Sequence, residues 1–114
     1  MTVPVSRGTV VWVDLSPTIG QEQHGRRPAV IVASDGYLAN VPNLAVVVPV
    51  TTRDRGWPHH VHLTGPDLRL ERPSFAMTEQ PRTVSRARIT AAAGSIDAES
   101  IGRIVGWLRD FLDI

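Results

Sequence analysis

The 114 residues make one domain by length, and 42% apolar against 20% charged residues is the balance of a chain that buries a core. The chain has no Cys, which excludes disulfide staples, thiol catalysis and thiolate metal sites and leaves His, Asp and Glu as the ordinary metal ligands. All 12 basic residues are Arg, and behind a net charge of +1 residues 1–90 hold ten Arg against seven acids, so the main body is mildly basic and fits an anionic partner without demanding one.

Taken in chain order, short apolar runs between scattered Pro and Gly predict a small, largely antiparallel β fold, a barrel or a sandwich, over 1–114. The first strand is expected at Thr9–Leu15, the second at Ala29–Ser34 and the third at Leu44–Val50, the last two continuously apolar and hence buried. Thr51–Pro58 reads as a polar turn, His59–Leu63 as a strand, Ser74–Glu79 as a shorter strand and Ile89–Ala93 as a further extended stretch. Ile101, Ile104, Val105, Leu108, Phe111 and Leu112 then recur at helical spacing, with Asp97 as the N-cap. No early connection carries a helical pattern, so the sheet lacks the crossovers that parallel strands need. No run approaches the ~20 apolar residues of a membrane span and MTVPVSRG lacks the regions of a signal peptide, so a cytoplasmic chain without membrane contact is expected.

The densest chemistry lies in GQEQHGRRPAVIV, residues 20–32, where Glu22, His24, Arg26 and Arg27 crowd between two Gly and a strand-opening Pro. Pro28 restricts its neighbour and holds Arg27 at a strand entrance. This is either a site presented by a loop or a solvated polar connection. Thr51 and Thr52 sit where a buried strand emerges, before Arg53; a hydroxyl there can bond a phosphate, or simply close the strand. His59, His60 and His62 invite a metal reading, which is set aside because three or four ligands must converge and the nearest carboxylate in sequence, Asp54, lies across a Gly-Trp-Pro turn. Arg82, Arg86 and Arg88 have even spacing, which on a regular strand gives one basic face able to track a phosphate backbone, with Trp57 and Tyr37 as stacking surfaces. Neither a P-loop nor G-x-S-x-G occurs.

In order, these segments are an RG near the N-terminus, WVDLSPTIGQEQHGRRPAVIV, VVPVTTRDRGWP, EQPRTVSRARI and an amphipathic helix. This order resembles the MazF/PemK family over nearly the whole chain, most specifically in GxEQxGxRP at Gly20, Glu22, Gln23, Gly25, Arg27 and Pro28. The resemblance implies an SH3-like β-barrel with a C-terminal helix, a homodimer, and a toxin that pairs with a MazE-like antitoxin. It also implies metal-independent cleavage of single-stranded RNA at short sequences, by attack of the ribose 2′-hydroxyl, with no cofactor. On this alignment Arg27 and Thr51 are catalytic, and Glu22, Gln23 and Gln80 line the RNA groove. Arg27, with a reference pKa above 12, suits charge stabilisation better than base catalysis; Thr51 suits a hydrogen bond to a phosphate oxygen. Glu22 is assigned to orienting Arg27, and the base is left between Glu22 and His24. The RNA-binding set is completed by Thr52, Arg53, Trp57, Arg82 and Arg86.

Two departures from the family pattern stand out: Thr9 follows the RG where relatives often carry an acid, and Pro81 follows Gln80. Pro81 removes a donor, which requires an edge or a bulge and puts the position of Gln80 in question. The barrel also resembles that of CcdB, a non-enzymatic toxin that binds DNA gyrase. That alternative needs an exposed apolar and charged end on the C-terminal helix, which Trp107, Phe111 and Ile114 can supply. The dimer interface is expected on the apolar helix face and the third strand.

Overall fold

The computed structural model describes residues 3–14 and 25–114. Leu15 and the candidate residues Gly20, Glu22, Gln23 and His24 lie outside the described residues.

The elements run β1 (Thr9–Asp14), β2 (Arg26–Ile31), α1 (Asp35–Asn40), β3 (Leu44–Thr51), β4 (His60–His62), β5 (Phe75–Met77), β6 (Arg82–Ser85), a 3₁₀ turn (Arg86–Arg88), β7 (Ile89–Ser95) and α2 (Ala98–Leu112). Among the described residues the strands form one antiparallel sheet in the order β4-β5-β3-β2-β1-β7, with β6 also on β3. The sheet ends on β4 and β7 without closing, so the expected barrel is an open, barrel-like sheet.

Alternation along β1, β2 and β3 builds two apolar layers. Val10, Val30, Val48 and Val50 face one cluster, which Val61, Ala76 and Ile104 of α2 complete. Val11, Val13, Ala29, Ile31 and Val47 face the other, which Leu38 of α1 and Val84 of β6 cover. Burial on both faces is why these strands read as continuous apolar runs.

The C-terminal helix is the expected one. Asp97 accepts from Ser100 N at 2.8 Å as N-cap, and Thr64 Oγ1 donates to the other Asp97 oxygen at 2.7 Å, which pins the helix start to the chain leaving β4. Its stripe of Ile101, Ile104 and Leu108 packs on the first cluster, so the helix face expected at a dimer interface is covered by the chain's own sheet.

Three expectations are corrected. The second strand begins at Arg26 rather than Ala29, which takes Arg27 and Pro28 out of the loop and into the sheet. The connection from β2 to β3 holds a helix: Ser34 Oγ accepts from Tyr37 N at 3.0 Å and starts α1, whose six residues bury only Leu38 and so show no period. Tyr37 packs on the second cluster from within α1. Finally, Arg82–Arg88 is not one strand: β6 stops at Ser85, whose hydroxyl caps a 3₁₀ turn, and the even spacing of the three Arg gives no common face.

Pro81 costs the sheet nothing. β3 pairs β5 at its C-terminal end and β6 at its N-terminal end, and Pro81 lies at the corner between those two partners, outside both strands. At Gly94 the chain needs glycine: φ is +89°, and a Cβ there would stand 1.9 Å from the Asp67 carbonyl oxygen, where the 65–70 segment crosses β7 and Arg69 N donates to Ala93 O at 3.0 Å.

Candidate active site

Two prolines open the sheet where the expected site lies. β2 and β3 pair as Ile31–Val47, Val30–Val48 and Ala29–Pro49, and the ladder ends there, with Pro28 and Pro49 each lacking an N–H. Carried two residues beyond that last rung in the same register, Arg27 stands opposite Thr51. Arg27 remains paired on its other side, opposite Val13 of β1, so a rigid strand positions an exposed guanidinium. No ion pair or hydrogen bond from a described residue occupies that guanidinium.

Thr51 is half-buried and pairs with Phe75 of β5. Its Oγ1 accepts from Arg53 N at 3.1 Å, a local turn that fixes the hydroxyl and leaves its proton to donate outward. Thr52 and Arg53 follow, both exposed. Asp54 Oδ1 accepts from Gly56 N at 2.9 Å, so that carboxylate shapes the turn.

A second group gathers at β4 and β5. Trp57 stacks on His59 with ring centroids 5.5 Å apart and meets His60 edge-on at 4.8 Å, while the Arg55 guanidinium lies 5.4 Å from the Trp57 ring centroid. His60 is buried and its Nε2 is 3.1 Å from both oxygens of Glu79; His59 Nε2 is 3.6 Å from Oε1. Burial pushes the Glu79 carboxyl up, but hydrogen bonds from His60, its own backbone N–H and Gln80 outweigh it and hold it below the ordinary value. Gln80 is exposed, with Nε2 3.3 Å from Glu79 Oε2, so it belongs to this group.

The candidate residues therefore fall in four places. Arg27, Thr51, Thr52 and Arg53 lie at the open end of β2 and β3, and Trp57 and Gln80 flank the His60–Glu79 pair. Arg82 stands opposite Val47, with the side-chain parity of Val84, about 13 Å along β3 from Thr51 at the usual rise per residue. Arg86 is elsewhere: its guanidinium donates to the carbonyls of Leu38, Val41 and Leu44. Glu79, as the carboxylate partner of His59 and His60, is what sequence reasoning missed. The pair His60 and His62 shares a strand, but His62 turns outward onto Phe75, and the carboxylate that joins His59 and His60 arrives from the next hairpin, 19 residues on from His60.

An open antiparallel sheet backed by a C-terminal helix, with an exposed arginine and a fixed hydroxyl at a strand end, defines a small β domain suited to a phosphate-bearing ligand. Residues 6–112 match the family described as PemK-like, MazF-like toxin of type II toxin-antitoxin system, and the chain belongs to that family. It is 36% identical over 95 residues to the endoribonuclease toxin MazF of Escherichia coli K12, covering 82% of this chain and 81% of that protein. It is 30% identical over 101 residues to the endoribonuclease EndoA of Bacillus subtilis, covering 88% and 87%. The MazE-MazF crystal structure (Form-II) from Deinococcus radiodurans superposes with a TM-score of 0.79 at 28% identity, covering 96% of each chain.

Proposed function

We propose that the chain is the endoribonuclease toxin of a type II toxin-antitoxin pair and cuts single-stranded RNA at Arg27 and Thr51, so inhibiting translation and growth. What supports this reading is an exposed, strand-held Arg27 and a Thr51 hydroxyl fixed by Arg53 N, which lie opposite one another when the β2–β3 register is extended two residues past its last rung. Relatives that cover over four-fifths of the chain and are named endoribonucleases support it.

In the proposed reaction the ribose 2′-hydroxyl loses its proton to a base and attacks the adjacent phosphorus. The bond from phosphorus to the 5′-oxygen breaks, that oxygen takes a proton, and the products are a 2′,3′-cyclic phosphate and a 5′-hydroxyl. Charge builds on the phosphoryl oxygens in the transition state, where Arg27 supplies a fixed cation and Thr51 a hydrogen bond. Glu22 orients Arg27, and Glu22 or His24 accepts the 2′-hydroxyl proton, so no metal is required. Gln23, His24, Thr52, Arg53, Trp57, Gln80 and Arg82 hold the RNA. Arg86 is left out of that set because backbone carbonyls already occupy it.

A MazE-like antitoxin, a homodimer and a cytoplasmic location complete the proposal; no helix among the described residues is long and apolar enough to cross a membrane. Phe111, Leu112 and Ile114 are exposed at the end of α2, the feature that gyrase binding would need, but the nuclease-named relatives favour RNA. The test is an RNA with a single 2′-deoxynucleotide at a mapped cut: the protein binds it as tightly as the all-ribose strand and leaves it intact. Cleavage at the deoxynucleotide rules out the mechanism.

A further inference from the structure

We propose that His59, His60 and Glu79 form a binding site for one divalent transition-metal ion of the zinc class, separate from Arg27 and Thr51. The proposal stands on geometry and does not depend on RNA cleavage. One ligand atom from each residue lies within 4.8 Å of the other two. The His60 Nε2–Glu79 separations are 3.1 Å and the His59 Nε2–Glu79 Oε1 separation is 3.6 Å. Ligand atoms at 2.0–2.1 Å from a tetrahedral zinc stand about 3.3 Å apart, so the two edges that meet at Glu79 are already near that length, and rotation of His59 brings in the third.

The donor types select the ion. Two imidazoles and one carboxylate suit zinc, copper, nickel or cobalt, and they disfavour magnesium and calcium, which take oxygen ligands. His₂Glu is a three-protein-ligand set that leaves a fourth position for water. The site has a fixed wall and an open rim. His60 is buried in β4 and cannot turn away, whereas His59 precedes the strand and, like Glu79, keeps part of its side chain in solvent, so these two close on the ion by side-chain rotation. Without a cation the same atoms force a compromise: His60 Nε2 is spent on Glu79, and His60 Nδ1 is buried with no hydrogen-bond partner. A metal would take Nε2 directly. The proton then moves to Nδ1, which still lacks an outer acceptor, and since such partners are worth about 10–100-fold in affinity, the site belongs at the exchangeable, micromolar end.

Trp57 is a built-in reporter, with its ring 5.5 Å from His59 and 4.8 Å from His60. The untagged full chain, stripped with EDTA and dialysed free of it, is titrated with Zn²⁺ by calorimetry and with Cu²⁺ by tryptophan fluorescence. The expected result is one ion per chain, quenching that is reduced in Trp57→Phe and carried there by Trp107, 6.0 Å from His59, and affinity at least about ten-fold weaker in His59→Gln and Glu79→Gln. His62→Gln, whose side chain lies outside the cluster, keeps the wild-type affinity. His59 and Glu79 are both surface-accessible, so these variants fold; His60→Gln is not needed. No binding up to millimolar metal overturns the proposal, and so does binding that His59→Gln and Glu79→Gln leave unchanged.

Discussion

Arg86 and Leu38 join the 3₁₀ turn after β6 to the end of α1: the Arg86 guanidinium donates to the Leu38 carbonyl, and further to those of Val41 at 3.4 Å and Leu44 at 2.9 Å. The last carbonyls of a helix have no partner within it and carry partial negative charge, so a cation placed there satisfies both needs. Arg86→Ala removes these bonds, leaving Val41 O with its 3.3 Å bond from Leu44 N, and costs about 1–3 kcal/mol in urea unfolding. The salt dependence of RNA binding stays as in the wild type. Arg53→Ala and Arg82→Ala behave in the opposite way, with unchanged stability and a salt slope reduced by about 0.7 for each lost phosphate contact. A reduced slope in Arg86→Ala would place its guanidinium on RNA.

Arg27 and Thr51 separate by the size of their effects. Arg27→Ala removes the fixed charge and lowers the single-turnover rate by about 10²–10³-fold, with little change in RNA affinity. Thr51→Ala loses one hydrogen bond and falls less, and Thr51→Ser recovers most of the rate because the hydroxyl returns. Gel-resolved cleavage under single-turnover conditions measures all three.

The start of α2 makes stability depend on acid. Hydrogen bonds from Thr64 and from Ser100 hold the Asp97 carboxyl below its ordinary value of 3.8. A depressed folded pKa means that its contribution is complete above the unfolded value, about 3.9, and is lost as pH falls through the folded value. Asp97→Ala is therefore less stable than wild type at pH 7, and the gap between the two narrows as pH falls below the ordinary carboxyl value. Paired thermal melts across that range test it; a constant gap would show that the charge plays no part.

Gly94→Ala sets a methyl group against the Asp67 carbonyl oxygen at a positive φ, and both terms oppose folding. A loss of more than about 2 kcal/mol is expected by chemical denaturation, while Gly102→Ala, whose Cβ meets no atom within 4 Å, is neutral or stabilising.

The strands of the core were legible because Val30, Val48 and their neighbours are buried on two faces and leave unbroken apolar runs, and α2 because its stripe runs for four turns behind an Asp cap. What escaped depended on contacts distant in sequence. α1 buries one residue and is held by a Ser cap and by Arg86, 48 residues from Leu38. The Arg82–Arg88 spacing misled because period two means a common face only if the strand continues, and Ser85 ends it. Arg27 and Thr51 were singled out by the family motif, and only the β2–β3 register, extended two residues, sets them at one level of the sheet. Glu79 reaches the histidines through a hairpin, which no spacing rule covers.

The most direct test of the account is cleavage of a long single-stranded RNA by the purified chain in EDTA, with cuts mapped by primer extension and end chemistry by kinase labelling. The account predicts discrete cuts with 5′-hydroxyl and 2′,3′-cyclic phosphate ends, lost in Arg27→Ala and strongly slowed in Thr51→Ala. Intact RNA across several transcripts, or cleavage that Arg27→Ala retains, would contradict it.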